Sequence, residues 1–311
     1  PRPVTSRTLP NQQGMPRALY SAEQVRQFDR LAIEGHGISG DTLMGRAGRA
    51  AFDALRGRWP EARRVLVLVG TGNNGGDGFV VAGLAREQGL AATVIQLGDR
   101  ARLSPDAAVQ ARRWVETGGD WLDFERALPA ADVIVDALFG IGLSREVDGR
   151  YAEAIDAINR HPAPCLAVDI PSGLHADSGR VMGIAVRAAL TVTYIGLKQG
   201  LFTADGPDCV GELRFAGLEV PAAVYASTPP AARRLDWSKQ AGLLPDRPRN
   251  SHKGHYGHVL VVGGNHGFGG AGLLAATAAL RGGAGLVSLA TRPAHVGAAL
   301  ARQPEIMAHG I

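Results

Sequence analysis

Five short apolar runs, each followed by a glycine-rich or acidic turn, constrain this chain most. They are Val65-Leu-Val-Leu-Val69, Thr93-Val-Ile-Gln-Leu97, Val133-Ile-Val135, Leu166-Ala-Val168 and Leu190-Thr-Val-Thr-Tyr-Ile195. The first is continuously apolar, as expected for a strand covered on both faces in a parallel sheet. Helical spacing between them predicts helices over about 79–88, 104–116 and 151–159, and a shorter strand over about 212–215. Upstream, Ser21 and Gln24 have capping-box spacing ahead of Val25, Phe28, Leu31 and Ala32, and a further helix is expected over about 42–58, ended by Pro60. Repeated strand–helix units imply an α/β fold with a mostly parallel sheet between helices.

The length, 311 residues, suits two domains. Residues 1–18, rich in Pro, Arg, Gln and Thr, are expected to be a disordered tail. Residues 19–221 form the first domain. Residues 222–250, with Thr228-Pro-Pro230 and Pro245-Asp-Arg-Pro248, are read as a linker carrying one short helix over about 236–243. A new pattern starts in 251–311: strands over about 258–262 and 286–289, helices over about 270–281 and 293–301. Two strands and two helices do not close a doubly wound domain, so the second domain is expected to stop mid-fold at Ile311. The formal charge of +4 is spread along the chain with few aromatics interleaved, which argues against nucleic acid. No apolar run approaches the ~20 residues that span a bilayer. Two separated cysteines, Cys165 and Cys209, make no disulfide framework or zinc site, and a reducing, cytoplasmic setting is expected.

In open parallel sheets, ligands gather at the carboxyl ends of the strands. After the first strand stands Gly70-Thr-Gly-Asn-Asn-Gly-Gly-Asp-Gly78, which contains G-x-G-x-x-G with Asp99 about two dozen residues on. Asp77 argues against the ordinary dinucleotide version, since an acid near the helix start repels phosphate. Two readings of Asp77 stand: a ligand-facing carboxyl, or a helix cap. After the third strand come Asp136, a structural cap or a functional acid, and the loop Gly140 to Glu146. After the fourth come Asp169 and Ser172 in Asp169-Ile-Pro-Ser-Gly173. Asn74, Asp136 and Ser172 bring oxygen ligands without His or Cys, which suits a hard cation, and the single carboxylate favours a monovalent one. Lys198 after the fifth strand has two readings, a helper at the site or a surface lysine. Gly267, Gly269 and Gly272 repeat the G-x-G-x-x-G spacing, weak evidence in a chain with 42 glycines.

As a set, Asn73-Asn-Gly-Gly-Asp-Gly78, Val135-Asp-Ala-Leu-Phe-Gly140 and Asp169-Ile-Pro-Ser-Gly173 resemble the signature loops of NAD(P)H-hydrate epimerases. Ser251-His-Lys-Gly-His-Tyr-Gly257 and the stretch 263–285 resemble the opening of an ADP-dependent NAD(P)H-hydrate dehydratase. From Leu19 onward the chain is similar to bacterial bifunctional NAD(P)H-hydrate repair enzymes with the dehydratase domain truncated. The resemblance implies a three-layer αβα Rossmann-like epimerase domain followed by the N-terminal part of a ribokinase-like domain. It implies that Asn73, Asn74, Gly75, Gly76, Asp77, the loop Gly140, Ile141, Gly142, Leu143, Ser144, Arg145 and Glu146, and Asp169 bind the hydrated nicotinamide. It also implies that Asn74, Asp136 and Ser172 bind potassium, and that Ala271 contacts the hydrate in the dehydratase domain. The later dehydratase loops that hold ADP are missing from this sequence, so neither ADP binding nor dehydration is expected. A homodimer through the epimerase domain is expected, with no nucleic-acid or membrane partner.

The implied substrate, NADHX or NADPHX, is a reduced cofactor with water added to its ring, giving R and S hydroxyl epimers at C6. The ring nitrogen's lone pair expels the hydroxyl, and water returns to either face of the iminium. This needs an acid and a base, with carboxylate to steady the cation. Asp169 and Asp136 are the candidates, Asp169 first. The rivals are a nicotinamide-dependent dehydrogenase and a non-enzymatic nucleotide-binding or scaffold protein on the same fold.

Overall fold

The computed structural model describes residues 15–236, 240–243 and 246–311. They fall into two compact units divided after Asp236. The first unit contains, in chain order, strands β1 (Ala18–Tyr20), β2 (Arg64–Val69), β3 (Ala91–Gln96), β4 (Trp121–Asp123), β5 (Val133–Ala137), β6 (Cys165–Val168), β7 (Leu190–Tyr194), β8 (Leu197–Lys198), β9 (Glu212–Ala216) and β10 (Ala232–Arg233). Its longer helices are α1 (Ala22–Arg30), α2 (Gly40–Arg58), α3 (Asn73–Glu87), α4 (Pro105–Glu116) and α5 (Gly149–Arg160).

Seven strands form one parallel sheet in the order β4-β3-β2-β5-β6-β7-β9. Alternation along β2 sends Val65, Val67 and Val69 into one apolar layer with Phe52, Leu55 and Phe79, from α2 and α3. Leu66 and Leu68 point into the other, against Ile155 and Ile158 of α5. This is the three-layer arrangement that the apolar runs predict. The chain moves outward from β2 to β3 and β4, then returns to lay β5 on the other side of β2. Such a reversal opens a crevice at the carboxyl ends of the two strands, where doubly wound proteins bind ligands.

The capping box forms as the sequence predicts: Gln24 N–H donates to Ser21 Oγ, and Ser21 N–H donates to the Gln24 side chain. Helix α1 ends in a π-helical turn, Leu31–Gly35. Helix α3 starts at Asn73, six residues ahead of the expected start, so the polar part of the glycine loop belongs to its first two turns. Strands β1, β8 and β10 build a small second sheet in the order β10-β1-β8, which the sequence did not announce. Ala18 pairs with Arg233 and Tyr20 with Lys198. The pairing of β10 draws part of the expected linker into the first unit.

In the second unit, β11 (His258–Val262), β12 (Leu286–Thr291) and β13 (Met307–Gly310) form a parallel sheet with helices Gly269–Arg281 and Pro293–Arg302. Val287, Leu289, Ala276, Ala299 and Ile306 form its core, while Leu260 and Val262 are exposed. Residues 1–14 of the expected tail lie outside the described residues, and Ala18 is already in β1. The expected helix over 236–243 falls partly outside them, and its described end, Ala241–Leu243, is a single 3-10 turn.

Phe28 joins α1 to the rest of the first unit. It is fully buried and meets Tyr20 and Tyr225 edge-on, with centroids 4.9 Å from each. Phe28→Ala is expected to destabilise the protein by about 3–5 kcal/mol, measurable as a lower urea midpoint.

Candidate functional site

A cavity of about 520 Å³ opens where β2 and β5 diverge. This is an ordinary size for a small-molecule site. Thr71 to Asn74 line it after β2, and Leu138 to Arg145 line it after β5. Asp169, Tyr194, Ile195 and Lys198 come from the ends of β6 to β8, Asp77 from α3, and Asp29 from α1. An adjoining cavity of about 410 Å³ shares Thr71, Phe139, Leu143, Arg145 and Tyr151 with it, and adds Asp99, Arg102 and Glu146.

Close backbone approach seats α3 at this edge. A Cβ on Gly75 would stand 2.2 Å from the Gly70 carbonyl oxygen, so only glycine lets the first turn rest on the end of β2. The helix is capped by Gly72 and has no side-chain cap. Asp77, in the second turn, is therefore not the helix cap, and its carboxyl lines the cavity instead. Burial, then the negative charges of Asp169 and Asp29, push its pKa well above the ordinary carboxyl value.

The Asp169-Ile-Pro-Ser-Gly173 turn holds two different acid environments. Asp169 has a left-handed backbone, φ 68°, unusual outside glycine, although Asp tolerates it better than most residues. Its N–H donates to the Val192 carbonyl at 2.7 Å, fixing it against β7. Its carboxylate accepts from the Lys198 ammonium and from the Tyr194 N–H. Lys198 has no solvent exposure and also donates to Thr193 Oγ1 and the Tyr194 carbonyl, each at 3.0 Å. All three ammonium donors are thus committed. Ile195 also has a positive φ, 59°, a costly geometry for a β-branched side chain. Strain of this kind concentrates where a structure holds functional groups in place. The Tyr194 hydroxyl beside them is buried without a partner, and burial with the charges of Asp77 and Asp169 raises its pKa well above normal. It remains an O–H donor.

Asp136 is set behind this wall. It is fully buried and does not line the cavity. Ser172 Oγ donates to one of its oxygens at 2.6 Å, Ser172 N–H to the other at 2.8 Å, and the Leu138 N–H adds a third bond. Burial still raises it to about 6. Asp136, expected beside Asp169 as an acid or base, thus has its oxygens bonded to Ser172 and Leu138 and stands behind the cavity wall. Phe139 N–H donates to Ser172 Oγ at 2.9 Å, and the next residue, Gly140, lies against Asn74. The Asn74 amide is buried, with its oxygen and nitrogen both lacking partners. Asp136 and Ser172 are thus bonded to each other, and Asn74 is linked to them through the Phe139–Gly140 backbone. An orphaned amide oxygen, one carboxylate and one hydroxyl fit an oxygen-seeking monovalent cation.

Of the remaining sequence candidates, Asn73, Asn74, Asp77, Gly140, Ile141, Gly142, Leu143, Ser144, Arg145 and Asp169 line the main cavity. Gly75 and Gly76 do not. Gly76 packs α3 on α2, where a Cβ would meet Met44 Sδ at 2.4 Å. Glu146 lines the adjoining cavity. Ala271 is exposed on a helix of the second unit. Asp29 and Tyr194 were not singled out by the sequence, and Lys198 was left between two readings. Asp29 carried a signal: it lies four residues after Val25 and three before Ala32, on the buried stripe of its helix.

A family model described as YjeF-related protein N-terminus matches residues 40–200, over half of the chain and every strand bordering the cavity. The chain belongs to this family. A second model, described as NAD(P)H-hydrate dehydratase, matches residues 259–311. Among relatives, the bifunctional NAD(P)H-hydrate repair enzyme Nnr of Coxiella burnetii is 48% identical over 94% of this chain and 60% of its own length. The proteins of the same name from Vibrio cholerae and Escherichia coli are 41% and 39% identical, over 94% and 96% of this chain. The chain spans 60% of the Vibrio relative and 58% of the Escherichia one. The crystal structure of the yeast protein ynu0, YNL200c, superposes with a TM-score of 0.58 at 19% identity, covering 67% of this chain and 92% of that one. It supports the fold. No helix among the described residues is long and apolar enough to cross a membrane.

The Lys198–Asp169 pair is buried, and removing one partner of such a pair strands the other. Lys198→Met is expected to destabilise the protein by about 3–5 kcal/mol, read from the urea midpoint. A loss below about 1 kcal/mol would mean that the pair is worth no more than an exposed one.

Proposed function

We propose that the first unit is an NAD(P)H-hydrate epimerase, which interconverts the R and S hydroxyl epimers at C6 of hydrated NADH and NADPH. The observation that carries this reading is the carboxylate of Asp169, held by a solvent-free lysine at the rim of the cavity. The relatives named as NAD(P)H-hydrate repair enzymes support it. In this cavity the ring nitrogen's lone pair expels the C6 hydroxyl, leaving an iminium that water re-enters from either face. Asp169 accepts the proton of the entering water and faces the transient cation, where a fixed carboxylate in a dry site is most effective. Lys198 and the Tyr194 N–H hold that carboxylate in one orientation. The Tyr194 hydroxyl supplies a neutral donor to the ring's polar substituents. Arg145, which lines both cavities, meets the phosphates of the dinucleotide in this reading.

Asn74, Asp136 and Ser172 are proposed to hold potassium, whose positive charge would draw together the loops after β2, β5 and β6. The second unit is proposed to be the opening of an ADP-dependent dehydratase that acts on the S epimer in the longer relatives, with Ala271 toward the hydrate. The proposed assembly is a homodimer through the first unit.

Two measurements test these readings. The chain is incubated with R-enriched NADPH hydrate and the epimers are separated by chromatography. Wild type is expected to speed the approach to equilibrium, and Asp169→Asn to lower kcat by about 10²–10⁴-fold. If wild type gives no acceleration over buffer, a binding or scaffold role replaces the enzyme. Separately, potassium at about 100 times its dissociation constant is expected to stabilise the fold by about 2.7 kcal/mol. That gain should vanish in Asn74→Ala, as read by thermal melting in potassium against tetramethylammonium. Equal melting of wild type in both salts would remove the ion from the proposal.

A further inference from the structure

We infer that Asp29, on the last turn of α1, is the second proton-transferring carboxyl of this cavity, working as the acid to Asp169's base. The inference rests on the epimerase reading and deepens it.

Asp29 lines the cavity from an element outside the central sheet. It occupies the buried stripe of α1 between Val25 and Ala32, which are 3% and 0% exposed. An acid at such a position normally has a partner, because an unpaired carboxylate in an apolar setting is costly. Among the described residues Asp29 makes no hydrogen bond and no ion pair.

Among the described residues, the cations near Asp29 have other partners. Arg26 and Arg30, on its own helix, both pair with Glu23 on the solvent side. Lys198 spends its three donors on Asp169, Thr193 and the Tyr194 carbonyl. The Tyr225 hydroxyl donates to the Ile195 carbonyl. The other acids that face Asp29 are Asp77 and Asp169. Three carboxyls therefore surround one ammonium. Burial first, and then the charge of Asp169, raise Asp29 to about 6, with Lys198 and Arg30 pulling the other way. Asp169 has the lysine, while Asp29 has only a proton to neutralise it. Environments that push two carboxyls apart in this way divide acid from base.

The step balances as follows. The protonated Asp29 gives its proton to the C6 oxygen as the C6–O bond breaks. The ring nitrogen's lone pair forms the N1=C6 double bond, and water departs. Asp29 and Asp169, both now carboxylates, face the iminium. A water then bonds to C6 and loses a proton to Asp169, and the double-bond pair returns to N1. One proton has moved from Asp29 to Asp169, which is the protonation state that the reverse epimerisation requires. No oxidant or reductant takes part.

The test uses the whole 311-residue chain and purified NADPH hydrate epimers. Asp29→Asn keeps the shape and cannot donate an acid proton. It is expected to lower kcat by about 10²–10⁴-fold, with affinity for the hydrate, by calorimetry, held within about threefold. Asp29→Glu is expected to restore part of the rate. In wild type, the acid form of Asp29 predominates below about pH 6, so kcat/KM should fall as pH rises through that region. This falling limb should be missing from the residual activity of Asp29→Asn. An active wild type with Asp29→Asn equally fast, or slow with the same falling limb, overturns this inference and leaves the epimerase standing. Loss of hydrate binding in both variants would mark Asp29 as structural and also overturn it. An inactive wild type removes the epimerase reading and this inference together.

Discussion

A lysine with no exposed surface holds the carboxyl edge of this sheet together. Lys198 reaches the site from a two-residue strand and satisfies its donors on Asp169, Thr193 and Tyr194, joining β6, β7 and β8. An ion pair in that position is weak evidence for stability, since desolvating both charges offsets most of their attraction. What the pair provides is direction. It holds Asp169 in a left-handed backbone and leaves one face of its carboxylate toward the cavity. Tyr194, with its buried hydroxyl, and Ile195, with its positive φ, precede this lysine on the same short segment.

Two acids at neighbouring strand ends thus have unlike duties. Asp169 faces the cavity with a counter-charge behind it. Asp136 faces inward, bracketed by both the hydroxyl and the amide of Ser172, and fixes the loops after β5 and β6 relative to each other. Sequence alone offered both as strand-end carboxyls, with Asp169 first. Solvent access separates them, and access is set by the backbone turn after each strand, which residue type does not reveal.

The sheet itself was legible because its signal is redundant: the central strands of the βα repeat are mostly apolar, and the apolar spacing of the helices agrees with them. Ser21 and Gln24 marked the start of α1 in the same way, through a specific pair of hydrogen bonds. The start of α3 was missed because Gly72, Gly75, Gly76 and Gly78 read as a loop, and interior glycine costs a helix about 1 kcal/mol each. Packing reverses that preference here, since a Cβ at Gly75 or Gly78 would strike the end of β2. The strands β1, β8 and β10 are two or three residues long, too short for any period. They nevertheless deliver Lys198. Asp29 was overlooked because its neighbours on the chain gave it a plausible place at a helix end. Only the fold shows which charges it faces.

The antiparallel join between Ala18 and Arg233 has a consequence for how this unit is bounded. It clasps the beginning of the unit to its far end, more than two hundred residues later. A shortened form ending after Pro221 would keep the whole parallel sheet yet open the clasp, leaving β1 with an unzipped edge and β8 anchored on one side through a single loose ribbon. Lys198 sits on that ribbon, so the minimal autonomous piece of this chain is longer than its sheet.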